Sequence, residues 1–240
     1  SGSRVNSAAD DAAGLAVAGK MESPLRGINM SLRNAQDGVG LIQTAESGVN
    51  EVRNMVLRIR ELAVQMANGI YENTPDRSNA QLEVTALIDQ VTLIAENTRF
   101  NDVQIIDGSF TGVTIQAGNT TAETITLSFV DMASSGLSID TATVATQSDA
   151  KVAIGTMDTA LQTISQEQAK FGSLINRLDY SISNQSRASV MTEQALGRIM
   201  DADFATESTA LSKSQILNQA ATSMLAQANQ SKSLLLQLIQ

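Results

Sequence analysis

Apolar residues recur along two long stretches of the chain at steps that alternate between three and four residues. The first stripe consists of Ile42, Ala45, Val49, Val52, Val56, Ile59, Ala63 and Met66. The second stripe consists of Met157, Leu161, Ile164, Gln168, Phe171, Ile175, Leu178 and Ile182, among which Gln168 is polar. Steps that average about 3.5 residues keep one side of a helix turned toward a partner helix over many turns. We therefore expect two long antiparallel helices whose stripes pack against each other.

Helix signals extend beyond both stripes. The Ala-rich segment 7–21 predicts a helix capped by Ser7. The Ser23–Pro24 pair then either starts a new helix or kinks a continuous one, which would run to about residue 69. Further helices are predicted over about 80–97, over about 148–184 for the second stripe, and from 203 onward.

Between the helical stretches the hydrophobic period falls to two. Val113 and Ile115 alternate with polar residues, and after a turn-like segment Ile125, Leu127 and Phe129 do the same. Two alternating runs around a polar turn predict a β-hairpin with one apolar face, which must pack on the helices because a lone hairpin is marginal in water. The Ser/Thr/Gly-rich segment 131–148 is expected to be irregular.

These elements predict a mainly α fold: an elongated rod of long antiparallel helices with coiled-coil-like packing and a small β-hairpin region, in the α+β class. Four regions follow from the sequence. They are an N-terminal helical part over 1–102, a hairpin and irregular part over 103–148, a C-terminal helical part over 149–200, and a terminal helix over 201–240.

Composition narrows the chemistry. The 240 residues include no His and no Cys, which excludes Ser-His-Asp and Cys-His catalysis and the usual zinc sites within this chain. Asp201, Asp203 and Glu207 have carboxylates at a calcium-loop spacing, but the required Gly and terminal Glu are missing, so helix capping is the better interpretation. We predict no enzyme activity, no catalytic residue, no cofactor and no metal.

Charge and hydropathy exclude two further classes of partner. The net charge of −9 argues against nucleic-acid binding, because the basic residues cluster only at Arg53, Arg58 and Arg60, among acidic neighbours. No stretch is long and apolar enough to predict a membrane span.

Several long motifs resemble bacterial flagellins. They are RVNSAADDAAG over 4–14, LRNAQDGVGLIQTAESGVNEV over 32–52, RIRELAVQMANG over 58–69, TRFNDVQIIDGS over 98–109 and RIMDADFATESTALSKSQILNQAATSMLAQANQ over 198–230. The chain begins at the family's SGxR(I/V)NSA motif, so the resemblance implies that the N-terminal core helix is missing here, and it leaves no room for a large variable outer domain.

The resemblance implies a structural subunit that polymerises into the bacterial flagellar filament for motility, secreted to the extracellular flagellum or cell surface. Other flagellin subunits, an export chaperone and cap proteins are the implied partners. The implied assembly helix carries Leu211, Ile216, Leu217, Met224 and Leu225. A different hypothesis is a flagellin homologue that acts as an adhesin or polysaccharide-binding receptor at the cell surface.

One helical motif has two alternative roles by resemblance. Leu57, Arg58, Arg60, Glu61, Leu62 and Gln65 stand where some flagellins are recognised by a Toll-like receptor of innate immunity. The same residues could instead form contacts between filament subunits.

Overall fold

The computed structural model describes residues 2–238, with side chains through residue 232. Within this range the chain forms four α-helices: α1 over Ala12–Met66, α2 over Ser78–Asn97, α3 over Gln147–Met200 and α4 over Phe204–Leu238. A π-helical turn over Asn73–Arg77 precedes α2. The short strands are β1 (Arg99–Phe100), β2 (Val103–Gln104), β3 (Val113–Gln116) and β4 (Thr124–Leu127). The predicted mainly α class with a small β part is confirmed.

The chain divides into two compact units. One combines Ser1–Ser23 with Met191–Gln240, and the other is Pro24–Val190. The four-region division drawn from the sequence stays a prediction, and its last two residues, 239 and 240, lie outside the described range.

The start of α1 differs from the prediction. Asp11, and not Ser7, caps the helix, because Asp11 Oδ1 accepts a hydrogen bond from the backbone N–H of Gly14 at 2.8 Å. Ser7 lies in the preceding turn, where its N–H and hydroxyl both donate to Asp10 Oδ2. The helix then continues through Pro24 without ending, which decides between the two interpretations of that residue.

In the unit Pro24–Val190, α1 and α3 run in opposite directions. Polar side chains join them along their length, in the pairs Ala67 with Gln147, Arg60 with Asp158, Asn50 with Gln168, and Asn29 with Ser189. The residue number on α3 rises as the number on α1 falls, so the predicted antiparallel pairing is present.

The two stripes fare differently. Every member of the first stripe is buried. On α3 the buried residues are Ala150, Ala153, Met157, Ala160, Ile164, Glu167, Phe171, Leu174 and Leu178, again at steps of three and four. This series shares every seventh position with the predicted one, but its other members lie one residue earlier. Leu161, Gln168, Ile175 and Ile182 are therefore only half-buried.

The shift has a physical cause in side-chain size. The prediction preferred Leu161 to Ala160 because leucine is more hydrophobic. The structure buries the alanine, and a small side chain lets neighbouring helices approach closely. The helix also extends to Met200, beyond the predicted end near residue 184, because the polar stretch after Ile182 continues the helix without an apolar stripe.

The predicted hairpin is present and packs on α1. β3 and β4 pair antiparallel, with Val113 opposite Leu127 and Ile115 opposite Ile125. Ile115 reaches Gly38 of α1, where an added Cβ would come within 2.4 Å of Ile115 Cδ1. Glycine at this position therefore allows the hairpin to approach the helix.

Two features escaped the sequence-based prediction. β1 and β2 form a second, very short hairpin whose turn residues, Asn101 and Asp102, both have positive φ, as a type I′ turn requires. The irregular segment 131–146 also contributes buried apolar side chains to the core, namely Met132, Ala133, Leu137, Ile139 and Val144. Gln81 of α2 helps to hold this segment, since its Oε1 accepts hydrogen bonds from the Val144 N–H and the Thr143 hydroxyl.

Candidate functional site

Helix α4 exposes a series of large apolar side chains. The exposed fraction of each lies between 59% and 83%, and the residues are Phe204, Leu211, Ile216, Leu217, Met224 and Leu225. All five residues of the predicted assembly helix are in this set. Exposed apolar side chains of this number on one helix mark an interaction surface, because contact with water is unfavourable for each of them.

The residues of α4 also follow a pattern typical of helix–helix contact. Leu217, Ala221, Met224 and Ala228 recur at steps of four, three and four, and all four are exposed. Over residues 204–232 the helix has three charged side chains, Glu207, Lys213 and Lys232. A face with so few charges is suited to burial against another helix.

Asp203 caps the start of α4. Its carboxylate accepts hydrogen bonds from the Thr206 hydroxyl at 2.7 Å and from the Ala205 N–H at 3.0 Å. These donors favour the charged form, so the pKa of the Asp203 carboxyl lies below its ordinary value, with the Thr206 hydroxyl as the largest cause. Capping by Asp203, as expected from the sequence, is confirmed.

The residues just before α4 pair with the beginning of the chain. Ser3 and Asp201 form an antiparallel bridge, and the Arg4 N–H donates to the Met200 carbonyl at 2.6 Å. The Arg4 guanidinium donates to the carbonyl of Ile199 at 3.0 Å. The two terminal motifs that resemble flagellins therefore meet at the base of α4, which the sequence alone did not indicate.

The second candidate surface lies on α1 and is called the Arg58 face: Leu57, Arg58, Arg60, Glu61 and Gln65. Leu57 is half-buried, and the polar residues are wholly or partly exposed. Leu62, which the sequence placed with them, is 5% exposed and belongs to the core, so it is removed from this face. Position 62 follows the first stripe around the helix, between Ile59 and Ala63, which explains its burial.

Ion pairs fix the cations of the Arg58 face. The Arg58 guanidinium lies 2.8 Å from Glu83 of α2 and 3.3 Å from Glu61. Arg60 contacts Asp158 of α3 at 2.6 Å. The pKa of Arg58 is raised chiefly by its hydrogen bond to Glu83, and that of Arg60 by its hydrogen bond to Asp158. Because both cations already face carboxylates, they do not form the strip of free positive charge that an anionic polysaccharide would need.

Other kinds of site were sought in the described part of the chain. Among residues 2–232 no group of three or more acidic side chains is arranged to hold a metal ion. No helix in the described part is long and apolar enough to cross a membrane.

Family comparisons match both parts of the chain. The bacterial flagellin N-terminal helical region matches residues 1–111, and the bacterial flagellin C-terminal helical region matches residues 154–239. A flagellin from Halalkalibacterium halodurans is 37% identical over 100% of this chain and 88% of its own length. A flagellin from Bacillus subtilis is 34% identical over 100% of this chain and 90% of its own length.

Solved structures agree with these matches. The crystal structure of Bacillus cereus flagellin superposes with a TM-score of 0.58 at 33% identity, covering 64% of this chain and 88% of that one. A putative flagellar hook-associated protein from Vibrio parahaemolyticus, at 13% identity, shares the fold with a TM-score of 0.67, over 80% of this chain and 100% of its own.

Proposed function

The chain belongs to the bacterial flagellin family and is a structural subunit of the flagellar filament, and we propose that α4 is the element through which it joins neighbouring subunits. The exposed apolar side chains of α4 support this proposal. In a filament, helices of adjacent subunits would cover them, and each Å² of apolar surface removed from water would stabilise the contact by about 25 cal/mol. Contacts that repeat head to tail without closing produce an open helical polymer.

A double substitution on α4 tests the proposal. Leu217→Asn with Met224→Asn places two polar side chains in the 4,3,4 pattern while leaving the core untouched. In the bacterium that makes the protein, we expect the double variant to reduce filament number and length in electron micrographs and to abolish swimming in soft agar. The thermal unfolding of the purified protein should not change, because both side chains are exposed.

A matched control distinguishes lost contact from a general effect of asparagine. Ser214→Asn changes an exposed polar position of the same helix, and filaments of normal length are expected. Normal filaments from the double variant would contradict the role of α4.

We further propose that the Arg58 face contributes a second contact between subunits. Its ion pairs hold Arg58 and Arg60 in fixed geometries, while Glu61 and Gln65 remain exposed for a partner. Glu61→Ala with Gln65→Ala should shorten filaments without altering unfolding, whereas Glu51→Ala, at an exposed position of the same helix, should leave them normal. Recognition by a Toll-like receptor would use the same side chains, and the double alanine variant would lower signalling in receptor-expressing cells.

Export and delivery follow from the same family membership. We propose that the protein is secreted before assembly, with an export chaperone and the filament cap as transient partners. α4 is the proposed chaperone contact, since its apolar side chains need cover before polymerisation. Co-purification of cytoplasmic protein should recover a chaperone with the original protein and lose it with Leu217→Asn and Met224→Asn combined.

A further inference from the structure

The turn that follows α1 contains the Asn68–Gly69 pair, which is the only Asn–Gly pair in the sequence. Both residues are exposed and lie outside regular secondary structure. Glycine has no side chain to obstruct its backbone nitrogen. That nitrogen is therefore the least hindered internal nucleophile for the side-chain amide of a preceding asparagine.

The Asn68 side chain is held close to this nucleophile. Its Oδ1 accepts a hydrogen bond from the Ile70 N–H at 3.3 Å, which is an Asx-type bond to the residue two positions on. The bond folds the carboxamide back along the backbone, beside the Gly69 nitrogen. The same N–H would stabilise the negative charge that develops on Oδ1 when the nitrogen attacks the carboxamide carbon.

Arg77 holds the other carbonyl of the same residue. Its Nη2 donates to the Asn68 backbone carbonyl at 2.8 Å, and its Nε donates to the Met66 carbonyl at 2.9 Å. It also donates to the Tyr71 carbonyl and, at 3.0 Å, to Asn73 Oδ1. Arg77 is only 4% exposed, and these four acceptors are all uncharged. A buried guanidinium of this kind would gain from a carboxylate at any of the four positions.

We propose that Asn68 is a site of spontaneous deamidation and that Arg77 directs the product to isoaspartate. The Gly69 nitrogen bonds to the Asn68 carboxamide carbon and gives up its proton, and the bond from that carbon to the amide nitrogen Nδ2 breaks to release ammonia. The resulting five-membered succinimide has two carbonyls, one from the side chain and one from the backbone of residue 68. Solvent water then adds to one carbonyl and breaks its bond to the Gly69 nitrogen, with no oxidant or reductant required.

The position of water attack decides the product. Attack at the backbone carbonyl leaves a free α-carboxylate, and the backbone then continues through the former side chain as isoaspartate. This is the carbonyl that Arg77 holds, so the guanidinium polarises it for attack and then receives the new carboxylate as a charged partner. The turn thereby gains one negative charge next to a buried cation.

Mass spectrometry of the whole protein tests both parts of the proposal. Folded and guanidinium-denatured samples are incubated in warm, mildly alkaline buffer and digested with trypsin to release the peptide 61–77. A gain of about 1 Da at residue 68 reports deamidation, and electron-transfer fragmentation separates isoaspartate from aspartate. We expect conversion at Asn68 in the folded protein, while the helical residues Asn34 and Asn218 stay unmodified. The isoaspartate-to-aspartate ratio should be about two- to tenfold higher in the folded protein, the factor that one hydrogen bond supplies.

Two variants sharpen the result. Gly69→Ala should suppress conversion, and the fold tolerates it because the new Cβ would meet Gln147 Nε2 at an ordinary contact distance of 3.4 Å. Arg77→Lys should bring the ratio down to the denatured value. An unmodified Asn68 in the folded protein, under conditions that convert the denatured one, would overturn the site. Equal ratios in the folded and denatured samples would overturn the role of Arg77, whatever the behaviour of the lysine variant.

Discussion

Lys170 and Glu167 form an ion pair across one turn of α3, with the Lys170 ammonium 3.4 Å from both carboxylate oxygens. The Glu167 side chain is buried within the apolar series of α3, whereas the Lys170 side chain is 43% exposed. Glu167 Oε1 also accepts a hydrogen bond from the Val130 N–H at 3.3 Å. One buried carboxylate therefore connects α3 to the segment that follows β4.

Removing the lysine should destabilise the unit more than removing both partners. Lys170→Met leaves a buried carboxylate without its cation, and we expect a loss of about 1–2 kcal/mol in the free energy of unfolding, reduced by solvent at the exposed lysine. Adding Glu167→Leu to this variant should recover part of that loss, because no unpaired charge remains. Urea unfolding of the two variants measures both effects.

Lys151→Met provides the control for this comparison. Lys151 is an exposed lysine of the same helix, and its replacement should change stability by less than about 0.5 kcal/mol. A double variant less stable than Lys170→Met alone would contradict the charge argument and would show that the polar contact to Val130 dominates.

Adjacent residues of α3 test where its buried series lies. Leu174 is 6% exposed, and its neighbour Ile175 is half-buried. Leu174→Ala should lower the free energy of unfolding by about 2–4 kcal/mol, through lost burial and a residual cavity. Ile175→Ala should cost about half as much, because part of that side chain already contacts water. Equal losses from the two variants, measured by chemical denaturation, would refute the assignment.

The sequence predicted one stripe fully and the other by half, and the reason lies in what periodicity measures. On α1 the apolar positions are bordered by polar residues, so one 3,4 phase is defined. On α3 both Ala160 and Leu161 are apolar, and two phases share Met157, Ile164, Phe171 and Leu178. Hydrophobicity preferred the larger residue, whereas packing placed the smaller one inside.

Non-periodic contacts were beyond the reach of the sequence. The segment 131–146 is rich in Ser, Thr and Gly, and its buried residues Met132 and Ile139 follow no repeat. The exposure of α4 could be expected from its motif, because no apolar segment remained to cover it. The pairing of Ser3 with Asp201 joins residues 198 positions apart, and no local signal reports such a contact.

The cap of α4 should be sensitive to acid. The pKa of the Asp203 carboxyl is depressed below its ordinary value of 3.8 in the folded protein. Its contribution is therefore fully present above that value and is lost as pH falls through the lower folded-state pKa. NMR Cα chemical shifts of residues 204–208 should move toward coil values over this acidic range.

Asp203→Asn separates the cap from its charge. Asparagine caps helices as well as aspartate but does not titrate. The variant should keep its helical shifts at neutral pH and lose the acid transition at residues 204–206, while Glu207 titrates equally in both proteins. An unchanged acid transition in the variant would assign the effect to another group.

Arg77 closes the C-terminal end of α1, and its loss should be among the most costly single changes in the unit Pro24–Val190. The guanidinium donates to the backbone carbonyls of Met66 and Asn68, which have no partner within the helix at this end. A cation there also complements the negative end of the helix dipole. Arg77→Ala leaves several buried carbonyls without a donor, so we expect a loss of about 3–5 kcal/mol in the free energy of unfolding.

Arg53→Ala is the matched control, since Arg53 is an exposed arginine of α1 and its loss should change stability by less than about 0.5 kcal/mol. Hydrogen exchange should also accelerate at amides 63–72 in Arg77→Ala and stay unchanged in Arg53→Ala. A protein that keeps its original stability and exchange rates after Arg77→Ala would show that water replaces the guanidinium at these carbonyls, and that the α1 terminus needs no buried cation.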